Sequence, residues 1–456
     1  MTTIPRLALA TPVTGTEPSS AALAWLAGLT ERRWRVQHFR SRACPTGNGT
    51  VGRVTGLPGR HLDAWLMPEP VLRRLFARGV RQAELALVEG TLDDHPAPLD
   101  RPHYDQPGLL RPLAACLDLP TVAVLPCPRR REGFHLPHIP DGVDAIFLDE
   151  VDGPDNFEFF RRLIQFTSRK PVIGAVDAIP EVRDALRESP QDHPLPDELI
   201  GRLGASFLRY ADLSAIRALS RTRPLAVGCD GPSSCCNRRR FRVAYAQDEA
   251  FGAYFPDTLE ALEALGAELV EFSPLRDEAL PDRVDLVMIG CGFPDLHADA
   301  LAENLSLIAA LRQHVCRGQR IYSEGGGTAY LGRSMTLADG RRIPGAGILP
   351  FDASLLPDPP PPTPVTRTLD RDCWLGPRGT VVRGYKSNRW RLVPGADPLD
   401  CPSCFGALTA QDDVYFHHHA VGGLIHLHLG ALPEVVAAFA GPHPPSLTRP
   451  TGRPIL

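Results

Sequence analysis

The sequence predicts an α/β protein made of two successive units, each a parallel sheet covered by helices. Three observations lead there. Apolar strand-like runs alternate with helical patterns from residue 6 to residue 177, and the alternation restarts at residue 241; a β–α–β rhythm of this kind builds parallel sheets. The runs themselves, such as "ELALVEG" (84–90) and "VDLVMIGCG" (284–292), are apolar almost throughout, the pattern of strands buried on both faces. Between the two series lies a stretch of changed composition, and 456 residues exceed what one core ordinarily organises.

The elements follow in order. "RLALATPV" (6–13) is a strand, "AALAWLAGL" (21–29) a helix and "ELALVEG" a buried strand ending in a carboxylate and a glycine. "GLLRPLAACLDL" (108–119) is helical, "TVAVLPC" (121–127) and "DAIFLDEV" (144–151) are strands, and the helix "NFEFFRRLIQFTS" (156–168) precedes the strand "PVIGAVD" (171–177). Composition breaks at "RESPQDHPLPDE" (187–198), a helical segment runs to Ser220, and "GCDGPSSCCNRRR" (228–240) reads as a linker between domains of residues 1–227 and 241–456. The rhythm then restarts with the strand "FRVAYAQ" (241–247), an amphipathic helix (257–267), a strand (267–273) and the strand "VDLVMIGCG". The helix "ALAENLSLIAALRQHVCRG" (300–318) ends at a glycine, as helix C-termini do.

Composition excludes several classes. Lys+Arg 49 against Asp+Glu 53 leaves a net charge of −4, so no global field points to nucleic acid. No apolar run reaches the length of a membrane span and the N-terminus lacks a signal-peptide core, so the reading is cytoplasmic. Eleven scattered cysteines do not form a disulfide framework. The 47 prolines cluster in loops such as "LLPDPPPPTP" (355–364), which predicts stiff, extended connections.

The chemistry concentrates at "IYSEGGGTAYLG" (321–332). A strand runs into three glycines and a helix follows, which is how a chain builds the sharp turn that presents a nucleophile, yet Gly325 stands at its centre. With "DEAFGAYFPDT" (248–258), "IGCGFPDLH" (289–297), "RRIPGAGILPFDA" (341–353) and "AVGGLIHLHLGALPEVVAAF" (420–439), this half resembles the glutamine amidotransferase half of the cobyrinic acid a,c-diamide synthase family over residues 240–440. The family reads "YAECGGLMYLG" where this chain has "YSEGGGTAYLG". The resemblance implies a class I glutaminase fold: a Cys on the elbow attacks the glutamine amide, a His acts as base, and backbone amides hold the oxyanion. Carried onto this chain, the base candidates are His426 and His428, at i and i+2 and therefore on one strand face. The oxyanion loop is Gly290, Gly292 and Gly326, and the nucleophile position is Gly325, which has no atom that attacks. Glutamine hydrolysis by the family route is therefore not expected. Cys291, where the family has glycine, has two readings: a small buried residue beside a turn, or a substitute thiol.

The first half resembles the same family over about residues 5–225, where the implied fold is a P-loop nucleotide hydrolase of the dethiobiotin synthetase type. "LALATPVTGTEPSSAA" (7–22) stands where the family has "IAAPaSGSGKTT". Gly15 matches a loop glycine and Ser19 and Ser20 stand near the Mg²⁺-binding Thr, but Glu17 replaces a glycine and Pro18 the lysine. A phosphate cradle needs successive N–H groups and a cation, whereas proline removes an N–H and Glu17 adds an anion. "RHLDAWLM" (60–67) and "ELALVEGTLDD" (84–94) match later landmarks, leaving Glu89 as the candidate for Mg²⁺ or substrate activation. ATP and Mg²⁺ are the implied cofactors on a degenerate site, and the implied ligand is a corrinoid or other tetrapyrrole.

Outside the family pattern, "CPSC" (401–404) and "FHHHAV" (416–421) offer Cys401, Cys404, His417 and His419 as zinc-type ligands or as solvated loop residues. The Arg runs 129–131 and 238–240 read as solvated faces, and Tyr385 and Lys386 replace a His and a Glu of the family. Two functional readings stand side by side. One is an amidoligase of the family fed by free ammonia or another donor. The other is a catalytically silent corrinoid-binding protein, a homodimer or a partner of an active paralogue.

Overall fold

The computed structural model describes residues 2–11, 19–44, 48–92, 107–129, 135–188, 194–223, 226–227, 240–369, 374–394, 414–417 and 419–440. The chain divides into two compact units, Met1–Gly231 and Pro232–Leu456.

The first unit is a seven-stranded sheet in which every pairing is parallel. Its strands are ordered Arg60–His61, Val36–Arg40, Leu85–Gly90, Arg6–Ala10, Thr121–Pro126, Ala145–Val151 and Val172–Asp177. The central strands are buried along their length, which is why their sequences are apolar without alternation. Strand Val36–Arg40 escapes the sequence reading because "VQHFR" carries Gln37, His38 and Arg40, all three buried, with Gln37 and His38 satisfied by polar partners.

Helix Ser20–Glu31 is buried over nine consecutive residues, Ala21 to Leu29, because helix Asp197–Tyr210 lies against it. Their contact centres on Trp25, Phe147 and Phe207, with ring centroids 5.4 Å, 5.4 Å and 6.0 Å apart. Aromatic burial of this kind dominates core energetics. The close approach is allowed by Gly28, where an added Cβ would lie 2.3 Å from Phe207 Cδ1.

The second unit holds a six-stranded sheet ordered Ala267–Phe272, Phe241–Ala246, Leu286–Ile289, Arg320–Glu324, Ala420–Gly423 and Val414–His417. The pairings are parallel except for the last, a hairpin. Two smaller sheets fall in the stretch that shows no β–α–β rhythm. One is four-stranded, and the other pairs Val381–Lys386 antiparallel with both Thr363–Thr368 and Ile425–His426. That ladder sets Tyr385 opposite His426. The helix expected over 300–318 is two helices, Ala298–Glu303 and Leu305–Cys316. Asn304 divides them: its side chain accepts from the Leu307 amide and donates to the Pro274 and Asp277 carbonyls, so it caps a new helix start. No helix among the described residues is long and apolar enough to cross a membrane.

Gly28→Ala is expected to destabilise the protein by about 1–3 kcal/mol through overpacking against Phe207, outweighing the roughly 1 kcal/mol gained in helix propensity. Urea unfolding checks it, and a variant at least as stable as the parent would show that the Phe207 ring is not held in place.

Candidate functional site

The site of the second unit lies at the carboxyl ends of its parallel strands, where open α/β sheets place ligands. Strand Arg320–Glu324 turns into helix Gly326–Leu331 through Gly325, at φ 53° and ψ −119°. Positive φ favours glycine. The neighbouring glycines are required by close backbone approach: a Cβ on Gly326 would lie 2.5 Å from the Gly292 carbonyl oxygen, and one on Gly327 2.3 Å from that of Ile289.

Beside Gly325 the structure places a thiol from another loop. A Cβ on Gly325 would stand 3.4 Å from Cys291 Sγ and 2.9 Å from His426 Cε1. Cys291 Sγ lies 2.7 Å from His426 Nδ1. Glu324 Oε2 is 3.5 Å from the same nitrogen and 3.9 Å from the sulfur. The carboxylate is fixed by its other oxygen, which accepts from the Tyr322 hydroxyl at 2.5 Å and from the Leu427 amide at 3.1 Å. Cys291, His426 and Glu324 are 6%, 5% and 9% exposed. Burial pushes the Tyr322 phenol well above its ordinary range, and the Glu324 charge adds to the rise, so Tyr322 remains a donor to Glu324.

Cys291 is held by the two-stranded ladder of Phe251–Ala253 with Cys291–Gly292, in which Ala253 faces Cys291. The oxyanion-loop expectation is corrected at Gly290, whose amide donates to Tyr254 Oη at 2.9 Å and is not presented to the elbow. Tyr254 in turn reaches the Ala246 and Met288 carbonyls. Gly292 and Gly326 lie against each other beside Cys291. The histidine expectation is also corrected. The strand ends at His426, so His426 and His428 do not share a face. His428 packs against Phe255 in a tilted arrangement with centroids 4.6 Å apart, and its Nε2 is 3.7 Å from Asp257 Oδ2, too long for a hydrogen bond. Among the described residues, Cys291, Glu324 and His426 are also the group whose ligand atoms converge closely enough to hold a metal, within 4.8 Å of one another. Sequence reading missed Glu324, although it adjoins the glycine elbow.

Of the zinc-type candidates, two fall among the described residues. Cys401 and Cys404 lie outside the described residues, His417 Nδ1 donates to the Ile348 carbonyl, and His419 sits near Gly318. Tyr385 is buried and braces the His426 strand.

In the first unit, Gly15, Glu17 and Pro18 lie outside the described residues. Ser19 is the N-cap of helix Ser20–Glu31: its hydroxyl accepts from the Ala22 amide. Its own amide donates to Glu89 Oε1 at 2.8 Å, and Glu89 Oε2 meets His38 Nε2 at 3.1 Å. Burial alone would raise the Glu89 carboxyl, but the His38 hydrogen bond, the Arg40 and His38 charges and the Ser19 amide outweigh it, and the group is held below its ordinary value. A cleft lined by Thr11, Arg40, Ser41, Gly90 and Gly108 opens beside it. The amide at the start of this helix therefore donates to a carboxylate. The part of His38 is invisible in the sequence, because its strand gives no apolar signal.

A parallel-sheet unit with a glycine elbow beside a thiol, an imidazole and a carboxylate defines the amidotransferase class of α/β folds. Residues 242–386 match the CobB/CobQ-like glutamine amidotransferase domain. A cobyrinate a,c-diamide synthase of Magnetococcus marinus is 30% identical over 378 residues, covering 78% of this chain and 79% of the relative. One from Syntrophotalea carbinolica is 28% identical over 468 residues, covering 95% and 98%. A hydrogenobyrinate a,c-diamide synthase of Pseudomonas aeruginosa is 28% identical over 456 residues, covering 96% and 98%. The chain belongs to the cobyrinate a,c-diamide synthase family.

Two outcomes follow. Gly325→Ala is expected to cost about 1–3 kcal/mol, because it places a Cβ against His426 in a positive-φ backbone; equilibrium unfolding checks it. The depressed Glu89 carboxyl contributes stability at pH above its unfolded value, about 4.3, and that contribution is lost as pH falls through the lower folded value. Glu89→Gln is therefore expected to be destabilised at pH 7 and to approach the parent toward pH 3, as read by urea midpoints at the two pH values.

Proposed function

We propose that the protein takes as ligand the corrinoid polycarboxylates for which its relatives are named, and that it does not drive their amidation with a nucleotide. Family membership supports the first part. The second rests on one observation: Glu89 occupies the amide of Ser19 at the start of helix Ser20–Glu31. A nucleotide phosphate at that helix end would meet a buried carboxylate. Like charges about 4 Å apart at an effective dielectric of 20 repel by roughly 4 kcal/mol, about a thousandfold in binding. Displacing Glu89 instead would strip it of the Ser19 amide inside the core, a cost of about 1–3 kcal/mol or more for a charged group. The sequence adds to this: Pro18 stands where a cation would offset phosphate charge, and Glu17 brings a further anion. Mg²⁺ at Glu89 is disfavoured on the same grounds, since both carboxylate oxygens already accept from protein donors. A homodimer or a complex with an active paralogue fits such a ligand-holding protein.

The test is calorimetric titration with a cobyrinic acid analogue alongside thermal melts with ATP and Mg²⁺. Micromolar-range corrinoid binding and an unchanged melting temperature at millimolar nucleotide are the expected results. A nucleotide-dependent rise of several degrees would restore the ATP-dependent ligase reading, and absence of corrinoid binding would remove the ligand assignment.

A further inference from the structure

We propose that Cys291, His426 and Glu324 bind a single divalent ion of the zinc class, which ties the elbow strand to two facing segments. The three ligand atoms come from separate elements: Sγ from Cys291–Gly292, Nδ1 from Ile425–His426 and Oε2 from the end of Arg320–Glu324. They stand 2.7, 3.5 and 3.9 Å from one another. A triangle with those sides has a circumscribed radius of about 2.0 Å, so one point lies at equal distance from all three atoms. Zinc bonds run to about 2.3 Å for sulfur and about 2.1 Å for nitrogen and oxygen. An ion just off the plane of the triangle therefore reaches all three atoms at ordinary bond lengths. Side-chain rotation has only to widen the sulfur–nitrogen edge from 2.7 Å toward the roughly 3.6 Å of a tetrahedron.

The donor set selects the ion. A thiolate, an imidazole and a carboxylate suit zinc and its first-row neighbours, whereas magnesium and calcium take oxygen shells. All three residues are buried, and a bound cation offsets the thiolate and carboxylate charges that burial would otherwise penalise. The surroundings hold the ligands in place. Glu324 Oε1 accepts from the Tyr322 hydroxyl and the Leu427 amide, which leaves Oε2 turned toward the sulfur and the ring. Such outer hydrogen bonds orient metal ligands generally. Cys291 is fixed opposite Ala253 and His426 opposite Tyr385. Gly325 contributes by having no Cβ, since one would stand 2.9 Å from His426 Cε1 and 3.4 Å from Cys291 Sγ and crowd both ligands.

On binding, the thiol proton passes to solvent, the sulfur coordinates as thiolate and the imidazole as its neutral form. No electron transfer is involved. Three protein ligands leave the fourth position of a tetrahedron to water or another small ligand. The ligands lie 33 and 135 positions apart along the chain, so the ion cross-links segments that meet only in the folded state. Its binding free energy then adds to the stability of the second unit. The 2.7 Å contact is also short enough for a hydrogen bond between thiol and ring, and the experiment separates the two. The proposal does not depend on what the first unit binds.

The experiment strips the full chain with a chelator and titrates it with Zn²⁺ and, as a spectroscopic probe, with Co²⁺. Elemental mass spectrometry reads the stoichiometry, and the thiolate-to-cobalt charge-transfer band reads coordination by sulfur. One ion per chain, bound at micromolar concentration or below, and a melting temperature raised by several degrees are expected. Cys291→Ser is expected to lose the charge-transfer band. Glu324→Gln is expected to keep the band but to bind roughly tenfold more weakly or worse. Circular dichroism checks that both variants fold. A double variant, Cys401→Ser with Cys404→Ser, is expected to retain both band and stoichiometry, which separates this site from the other zinc-type cysteines. The proposal is overturned if the parent binds no ion, if the band survives Cys291→Ser, or if the double variant loses it. Should Cys291→Ser fail to fold, Glu324→Gln decides the matter, and an affinity equal to the parent's would overturn the assignment.

Discussion

The second unit is organised around the absence of a Cβ at residue 325. Positive φ lets the strand Arg320–Glu324 reverse into the helix Gly326–Leu331 within one residue, and this draws the backbone of Gly326 and Gly327 onto the Ile289–Gly292 segment. Because nothing projects from the elbow, the His426 ring and the Cys291 sulfur occupy its mouth. With no side chain at 325, the Cys291 sulfur from the facing loop lies close beside the elbow. A side chain at 325 would press on His426.

The two units meet similar demands differently. Both gather polar groups at the carboxyl ends of a parallel sheet, the region with unpaired backbone and room for ligands. In the second unit those groups set a thiol and an imidazole against the glycine elbow. In the first they neutralise one another: Glu89 takes the amide of Ser19 and the ring of His38, and its charge is absorbed inside the fold. A buried carboxylate with such partners stabilises the chain only while they remain in place. This constraint is structural.

What could be read in advance depended on periodicity. The strands Arg6–Ala10, Leu85–Gly90 and Leu286–Ile289 are legible because burial on both faces favours long apolar runs. Val36–Arg40 was hidden because its buried polar residues are satisfied by partners far along the chain, such as Pro58 for Gln37 and Glu89 for His38. The division at Asn304 was hidden for a related reason, since its capping bonds reach Pro274 and Asp277. The histidine pair was misjudged because the i, i+2 argument holds only while a strand lasts, and this one ends at His426.

The amino-acid sequence by itself determined the α/β class and the glycine elbow with Gly325 at its centre, because these are local or periodic properties. It also named Cys291 and His426, but only as separate possibilities. Their meeting was decided by tertiary structure. The two residues are 135 positions apart, and their contact depends on the register of two separate ladders, one setting Ala253 against Cys291 and the other Tyr385 against His426. A register shift of one residue would turn either side chain to the other face, and pairings between such distant segments leave no local trace in the chain.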